Sequence, residues 1–290
     1  MTRVFGHRDL HELWQPRNSA GKFEGGQVTI VGGSKLFHGA PILSLKAASR
    51  IVDMVYFASF AKDKAVAKQL KASLSSFIWI PREELVKYLA KSDAALVGPG
   101  LMRYSHEGGH NGKTLDDEGE YTFGLTNKIL KQFPKLTWVV DGGSLQVITP
   151  DILPRGCIIT PNHKEFSLLF GQDIEPDDVE KTEAQVAKLA KKYQITIVTK
   201  GTESVISNGQ ETYQVQGGNA GLIKGGTGDV IAGLAVAFLA KNPPLLAAAT
   251  AVYLVKRAAD DLASTRALMY NADDLVDQIP QSYADRLRKP

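Results

Sequence analysis

The stretch GGTGDVIAGLAVAFL, residues 225–239, joins a glycine-rich turn to a segment that is apolar on every side. A helix without a polar face belongs in the interior. Val230–Leu239 therefore predicts a central helix, and the equally apolar Leu245–Val255 a second one, with Pro243-Pro244 forcing the break between them. Backbone N–H groups in a glycine turn that opens a helix converge on one point, and the helix dipole favours an anion there. The turn is not a P-loop, since no Gly-Lys-Ser/Thr follows, and it lacks the spaced glycines of a dinucleotide fingerprint. The fold must bury this helix yet leave its N-terminus open to a phosphate.

Upstream, short β-branched runs alternate with helix-length segments. The runs are Val28–Val31, Met54–Phe57, Phe77–Ile80, Ala95–Val97, Trp138–Val140, Cys157–Ile159, Thr196–Val198 and Ser204–Ile206. Most are continuously apolar, as strands covered on both faces must be. Val179–Tyr193 is the clearest crossover helix, with Val186, Leu189 and Ala190 at helical spacing and Asp177 and Asp178 at its positive end. This alternation predicts an α/β fold with a central, mostly parallel sheet flanked by helices on both faces. All 290 residues read as one domain, with a polar N-terminal extension over 1–26 and a polar, glycine-rich loop insertion over 102–119. The segment 272–290 reads as a packing helix or a tail.

Hydrophobic residues at 43% and charged residues at 22% match globular usage, which excludes a disordered chain, a collagen-like fibre or a disulfide scaffold. A net charge of +3, with both signs mixed along the chain, argues against nucleic-acid binding. Cys157 is the single cysteine, so no internal disulfide forms; its apolar neighbours fit a small buried hydrophobe better than a nucleophile. One cysteine, a polar start without a signal peptide and no apolar window of ~18 residues predict a cytoplasmic protein with no membrane span.

Five polar interruptions fall at strand ends, where open α/β sheets bind ligands. They are Gly32-Gly33-Ser34, Gly98-Pro99-Gly100, Asp141-Gly142-Gly143, Thr160-Pro161-Asn162 and Lys200-Gly201, and together they predict one ligand rim. Asp229 reads as a helix cap, or as a general base that takes a proton from a hydroxyl attacking phosphorus held in the glycine turn. Asn162 and Glu165 read as a capping box, or as a pair ordering water around Mg²⁺, an ion that keeps most of its waters. Asp141 reaches the rim or forms an Asx turn. Lys200 reaches a phosphate or is an ordinary surface lysine.

Six segments then occur in a recognisable order: GGSKLFHGAP (32–41), VGPGL (97–101), VVDGGSL (139–145), TPNHKEF (160–166), TKGTESVI (199–206) and GNAGLIKGGTGDVIAG (218–233). On them the chain, from about Gln27 to Asp261, resembles the ADP/ATP-dependent NAD(P)H-hydrate dehydratases of the ribokinase-like superfamily. The resemblance implies a single ribokinase-like domain with eight or more strands. The implied substrate is (S)-NADHX or (S)-NADPHX, the phosphoryl donor ADP or ATP with Mg²⁺. Phosphorylating the ring hydroxyl makes a leaving group, and its loss restores the nicotinamide. Asp229 is the implied base, and Gly226, Thr227 and Gly228 the anion hole. Lys200, Gly201, Thr202, Glu203, Ser204 and Gly228 hold the nucleotide. Ala40, Gly100, Asp141, Asn162, Asn219 and Asp229 meet the hydrate. A homo-oligomer, often a tetramer, and a separate epimerase are implied as well.

The chain departs from the family pattern on the acceptor side. Asn162 stands where the family usually has His, Gly142-Gly143 replace the commoner Ala-Asp, and the 102–119 loop is longer. These departures keep two alternatives open: a small-molecule kinase of the same superfamily acting on a hydroxymethyl-type vitamin precursor, and a non-catalytic adenine-nucleotide-binding regulator.

Overall fold

In the computed structural model, which describes residues 2–59, 64–104, 115–175 and 178–288, ten strands form one sheet. They are β1 (Thr2–Val4), β2 (Gln27–Gly32), β3 (Met54–Ser59), β4 (Ile78–Trp79), β5 (Ala94–Val97), β6 (Thr137–Val140), β7 (Ile158–Ile159), β8 (Thr196–Val198), β9 (Ser204–Ser207) and β10 (Thr212–Val215). Their order is β1-β10-β9-β8-β7-β6-β5-β2-β3-β4, and β9 alone runs against the rest. All eight runs read from the sequence become strands. β1 and β10 are additional, because their alternating polar residues (TRV, TYQV) carry no continuous apolar signal.

Among the described residues ten α-helices accompany the sheet, the last three after β10: α1 (Gly39–Ala48), α2 (Lys64–Ser73), α3 (Leu85–Leu89), α4 (Asp117–Gln132), α5 (Gly142–Leu145), α6 (His163–Phe170), α7 (Val179–Tyr193), α8 (Thr227–Leu239), α9 (Pro244–Arg266) and α10 (Ala272–Leu287). Alternate residues of each strand serve opposite cores. Val28, Ile30, Leu96 and Val139 pack with Leu45 of α1, Leu234 of α8, Leu254 of α9 and Leu275 of α10. Val31, Val97, Trp138 and Val140 pack with Leu89 of α3, Ile129 of α4, Phe166 of α6 and Leu189 of α7. That two-sided cover is why the strands read as unbroken apolar runs. The central helix expected over Val230–Leu239 is α8, held between α1 and α9. Its Gly233 abuts the backbone of Ser44, where a Cβ would come within 2.4 Å of the Ser44 carbonyl oxygen.

Several boundaries differ from the sequence reading. The stretch 1–26 is more than an extension: β1 pairs with β10, and Phe5, Leu10 and Leu13 are buried in the α8–α9 core. The 102–119 loop is shorter at its end, because Asp116 accepts hydrogen bonds from the N–H groups of Glu118 and Gly119 and so starts α4. Residues 105–114 of that loop, and Asp177, lie outside the described residues. The second apolar helix runs on to Arg266 as an amphipathic continuation, with Pro244 in its first turn as the proline break requires. At the C-terminal end, the packing-helix alternative holds: α10 opens with a capping box between Asn271 and Asp274 and buries Leu275, Val276 and Ile279. No helix among the described residues is long and apolar enough to cross a membrane.

The chain lays β2, β3 and β4 outward on one side, then returns to place β5 on the other side of β2. The strand order thus reverses between β2 and β5, and a crevice opens at their carboxyl ends. The Gly33 N–H donates across it to the Pro99 carbonyl at 2.8 Å.

Candidate active site

The first turn of α8 is built around Gly226. Its φ of +94° lies in the left-handed region, and a Cβ there would come within 2.5 Å of Leu43 Cδ1, so only glycine turns the chain into the helix at this point. The helical ladder begins with Val230 N–H donating to the Gly226 carbonyl at 3.1 Å. The N–H groups of Thr227, Gly228 and Asp229 therefore stand before the first rung, at the positive end of a buried 13-residue helix. The Thr227 hydroxyl turns back to the Lys224 carbonyl at 3.0 Å.

Asp229 is not the cap that its type suggested. Gly226 holds that position, with no side-chain cap bond, and Asp229 is the third helical residue. Burial pushes its carboxyl up to about 7, with the negative charge of Asp141 acting the same way and the Lys200 ammonium opposing both. A carboxyl poised there exchanges a proton near neutral pH, which suits a general base.

Lys200 follows β8 and lies over the same turn, close enough that a Cβ on Gly228 would be 2.9 Å from its Nζ. It is no surface lysine: about 21% of its side chain is exposed, and Nζ donates to Asp141 Oδ1 at 3.1 Å. Burial works against its charge, but Asp141 and Glu165 outweigh it and hold the ammonium above its ordinary value. Asp141, 3% exposed at the end of β6, also accepts the Thr160 hydroxyl at 2.6 Å. No side-chain cap bond ties it to α5, so it reaches the rim rather than forming an Asx turn. Glu165 is buried next to this pair, and burial with the Asp141 charge raises its carboxyl.

The Asn162–Glu165 pair is a complete capping box. Asn162 Oδ1 accepts the Glu165 N–H at 2.9 Å, and Glu165 Oε2 accepts the Asn162 N–H at 2.9 Å. Glu165 Oε1 accepts Gln146 Nε2 at 3.2 Å. Three oxygens that could have faced metal-bound water are already engaged. Among the described residues, no three His, Cys, Asp or Glu side chains cluster as a metal site.

A cavity of about 520 Å³ opens beside α8, bounded by Lys200, Thr202, Gly218, Gly226, Ile231 and Val255. Its glycine-rich end offers N–H groups and an ammonium, and its far wall is apolar. That division suits a ligand with a phosphate at one end and a flat apolar ring at the other. Gly201 and Thr202 are exposed on its rim, Glu203 is exposed but does not line it, and Ser204 is buried, its hydroxyl on the Gly201 carbonyl at 3.2 Å. Asn219 borders the cavity, but its amide is spent on the Gly221 N–H, the Tyr270 hydroxyl and the Ala259 carbonyl, anchoring the loop before α8.

Ala40 and Gly100 do not line this cavity; Gly100 lies at the crevice, against Gly33 at the end of β2. Gly100 abuts the Phe37 carbonyl, and Ala40 sits one turn before Ser44 on α1. The Ser44 hydroxyl donates to the Asp229 carbonyl at 2.8 Å. That bond ties α1 to the first turn of α8, whose Thr227 and Gly228 line the cavity. Such an arrangement can hold a phosphate on one side and pass it to a hydroxyl on the other.

The sequence reading placed Thr160 on the rim without its bond to Asp141, and it missed Ser44, which holds the Asp229 backbone, Gln146, which holds Glu165, and Lys256. Lys256 had a usable signal. It shares a helical face with Ala249, Val252 and Ala259, all buried, so its spacing alone placed it inside.

A family model described as NAD(P)H-hydrate dehydratase matches residues 28–281. The chain is 32% identical, over 96% of both chains, to a Cenarchaeum symbiosum protein named ADP-dependent (S)-NAD(P)H-hydrate dehydratase. It is 30% identical to the bifunctional NAD(P)H-hydrate repair enzyme of Methanocaldococcus jannaschii, over 96% of this chain but 52% of that longer protein. Among solved structures, a ribokinase-like superfamily protein of Enterococcus faecalis superposes with a TM-score of 0.80 at 25% identity, covering 99% of this chain and 97% of that one. The ADP/ATP-dependent dehydratase of Bacillus subtilis, co-crystallised with ATP and Mg²⁺, superposes with a TM-score of 0.79 at 19% identity, covering 98% of each chain. The sheet is thus of the ribokinase-like kind.

Proposed function

The chain belongs to the NAD(P)H-hydrate dehydratase family, and on that premise we propose that it returns (S)-NADHX or (S)-NADPHX to the reduced nicotinamide cofactor, with ADP or ATP as phosphoryl donor. The observation that carries the reading is Asp229, its carboxyl pushed up to about 7, next to three N–H groups that have no helical partner.

In this reading the nucleotide lies in the cavity, its terminal phosphate against Gly226, Thr227 and Gly228, with Lys200 and the loop through Gly201, Thr202, Glu203 and Ser204 beside it. The hydrated ring enters the crevice past Ala40 and Gly100 towards Asp141, while Asn162 and Asn219, which the resemblance assigns to it, line the cavity on the donor's side. Asp229 takes the proton of the ring hydroxyl. That oxygen bonds to the terminal phosphorus as the bond from phosphorus to the nucleotide's bridging oxygen breaks. The helix N–H groups meet the charge that collects on the transferring group. Phosphate is then a far better leaving group than hydroxide. The carbon–oxygen bond breaks, a proton leaves the neighbouring ring carbon, and the double bond returns. The products are reduced cofactor, inorganic phosphate and the donor shortened by one phosphoryl group.

Mg²⁺ fits as an ion carried in with the nucleotide. Asp141 is paired with Lys200 and Glu165 caps α6, so Asn162 and Glu165 would act on it only through water. When bound, it would neutralise charge on the donor's phosphates.

Homo-oligomerisation, including a tetramer, belongs to the same proposal and is supported by exposed Ile223, Leu268 and Met269, which adjoin where Lys224 Nζ reaches the carbonyls of Leu268 and Tyr270. A separate epimerase is supported by the bifunctional name of the longer relative. A cytoplasmic, reducing home is supported by the buried free Cys157.

Phosphorus NMR on a mixture of the protein, hydrated NADPH and ADP tests the reading. Inorganic phosphate should appear in step with reduced cofactor. A stable phosphate ester would instead favour a kinase, the second reading that Asn162 in the histidine's place supports.

A further inference from the structure

Lys256 lies on the buried face of α9 and is 3% exposed. An ammonium is held in such a place only when its N–H groups are paired. Nζ donates to the Thr202 carbonyl at 2.7 Å, in the loop after β8, and to the Val215 carbonyl at 2.5 Å, at the end of β10. The neighbouring turn of α9 grips the same strap. Arg257 donates to the Gln216 carbonyl at 2.7 Å, and the Gly218 N–H donates to Asp260 Oδ2 at 3.2 Å. Gly218, at φ +81°, closes over the lysine stem, and a Cβ there would stand 2.6 Å from Leu222 Cδ1 and 3.2 Å from Lys256 Cγ. Lys256 thereby joins two walls of the cavity that α8 opens into, and it lines that cavity itself.

We infer that Lys256 is a nucleotide-binding residue, its ammonium clamping the Thr202 loop to the end of β10 and offering its third N–H and its charge to the donor nucleotide. This rests on the assignment of the cavity to the nucleotide. The groups facing Lys256 are Glu203 from the loop and Arg257 and Asp260 from α9. Burial, with Arg257 beside it, brings its pKa down to about 8, while Glu203 and Asp260 act in the opposite direction. Its charge and its third N–H are therefore lost as pH rises through that value, while the two remaining N–H groups suffice for the two carbonyls.

The test is calorimetric titration with ADP at pH 7 and 9 in an Asp229→Asn background, where the neighbouring carboxyl no longer titrates. Binding by the parent should weaken about tenfold across that range, as the loss of one charged hydrogen-bond donor implies. Adding Lys256→Met should weaken binding about tenfold at pH 7 and flatten the pH dependence. In the single Lys256→Met variant the KM for ADP should rise while the KM for the hydrate stays put, with the fold checked by circular dichroism. A folded Lys256→Met protein that binds ADP as its parent does would overturn the proposal alone. So would a parent whose affinity does not change between the two pH values, whether or not the variant folds. Absence of ADP binding by the wild type would overturn it together with the nucleotide assignment.

Discussion

Asp229 is surrounded by charges that work against one another. Burial and Asp141 raise its pKa, Lys200 lowers it, and the outcome is a carboxyl that ionises near pH 7. The linkage follows. An aspartate raised from its ordinary value of about 4 gives the folded state an advantage while protonated. That advantage is complete below about pH 4 and is lost as pH rises through about 7. Asp229→Asn should therefore melt above the wild type at pH 8, with the gap closing towards pH 4, which paired thermal melts would show. The same variant should bind nucleotide normally yet lose about 10²–10⁴ of turnover, and wild-type turnover should rise with pH on an acid limb near 7. Full turnover in Asp229→Asn would remove the base. The residue types at this site were legible in the sequence, since glycines before an apolar helix and a carboxylate after them have few uses. The partners of Lys200 were not. A Lys at position 200 and an Asp at 141 are 59 residues apart, and no local spacing tells that β6 and β8, separated in the sheet by β7, bring them together.

At the scale of elements, capping and close packing decide which polar residues are free. The Asn162–Glu165 box was readable from its spacing, though the sequence left its use open. The hydrogen bonds commit Asn162 Oδ1 to the start of α6. Asn162→Ala should cost about 1 kcal/mol, a drop of roughly 2–4 °C in melting temperature. Asn162→Asp, which can cap equally well, should restore that stability. Comparing hydrate KM in the two variants then isolates any contact the amide makes with substrate. Helix α8 illustrates the other limit of sequence reading. Its apolar composition told that it was central, but not that Gly233 is where α1 crosses it. A methyl group there would meet the Ser44 carbonyl, the residue whose hydroxyl steadies the Asp229 carbonyl. Gly233→Ala should destabilise by about 1–3 kcal/mol and lower turnover with little effect on ADP binding, measurable by melts and by calorimetry.

For the molecule as a whole, the parallel sheet and its helical cover follow from the alternation of apolar runs with amphipathic segments. The ends of the sheet do not. β1 is an edge strand and β10 lies next to it, both mixing polar with apolar residues, and residues 2–13 enter the core through only Phe5, Leu10 and Leu13. Three apolar side chains scattered in a polar stretch give no periodic signal, so their burial depends on tertiary contacts with α9 and α10. Leu10, fully buried, makes the point measurable: Leu10→Ala should cost about 2–5 kcal/mol, whereas a dispensable tail would lose nothing in a denaturant melt. The strand order reverses between β2 and β5, and in the proposed function a nucleotide cavity and an acceptor crevice share one carboxylate, that of Asp229. That sharing is the central claim. It is tested most directly by following reduced-nicotinamide absorbance after the purified protein is mixed with hydrated NADPH, Mg²⁺ and either ADP or ATP. Recovery that requires the nucleotide and disappears in Asp229→Asn is the result the account predicts. No recovery with either nucleotide, from protein shown separately to bind it, would contradict it.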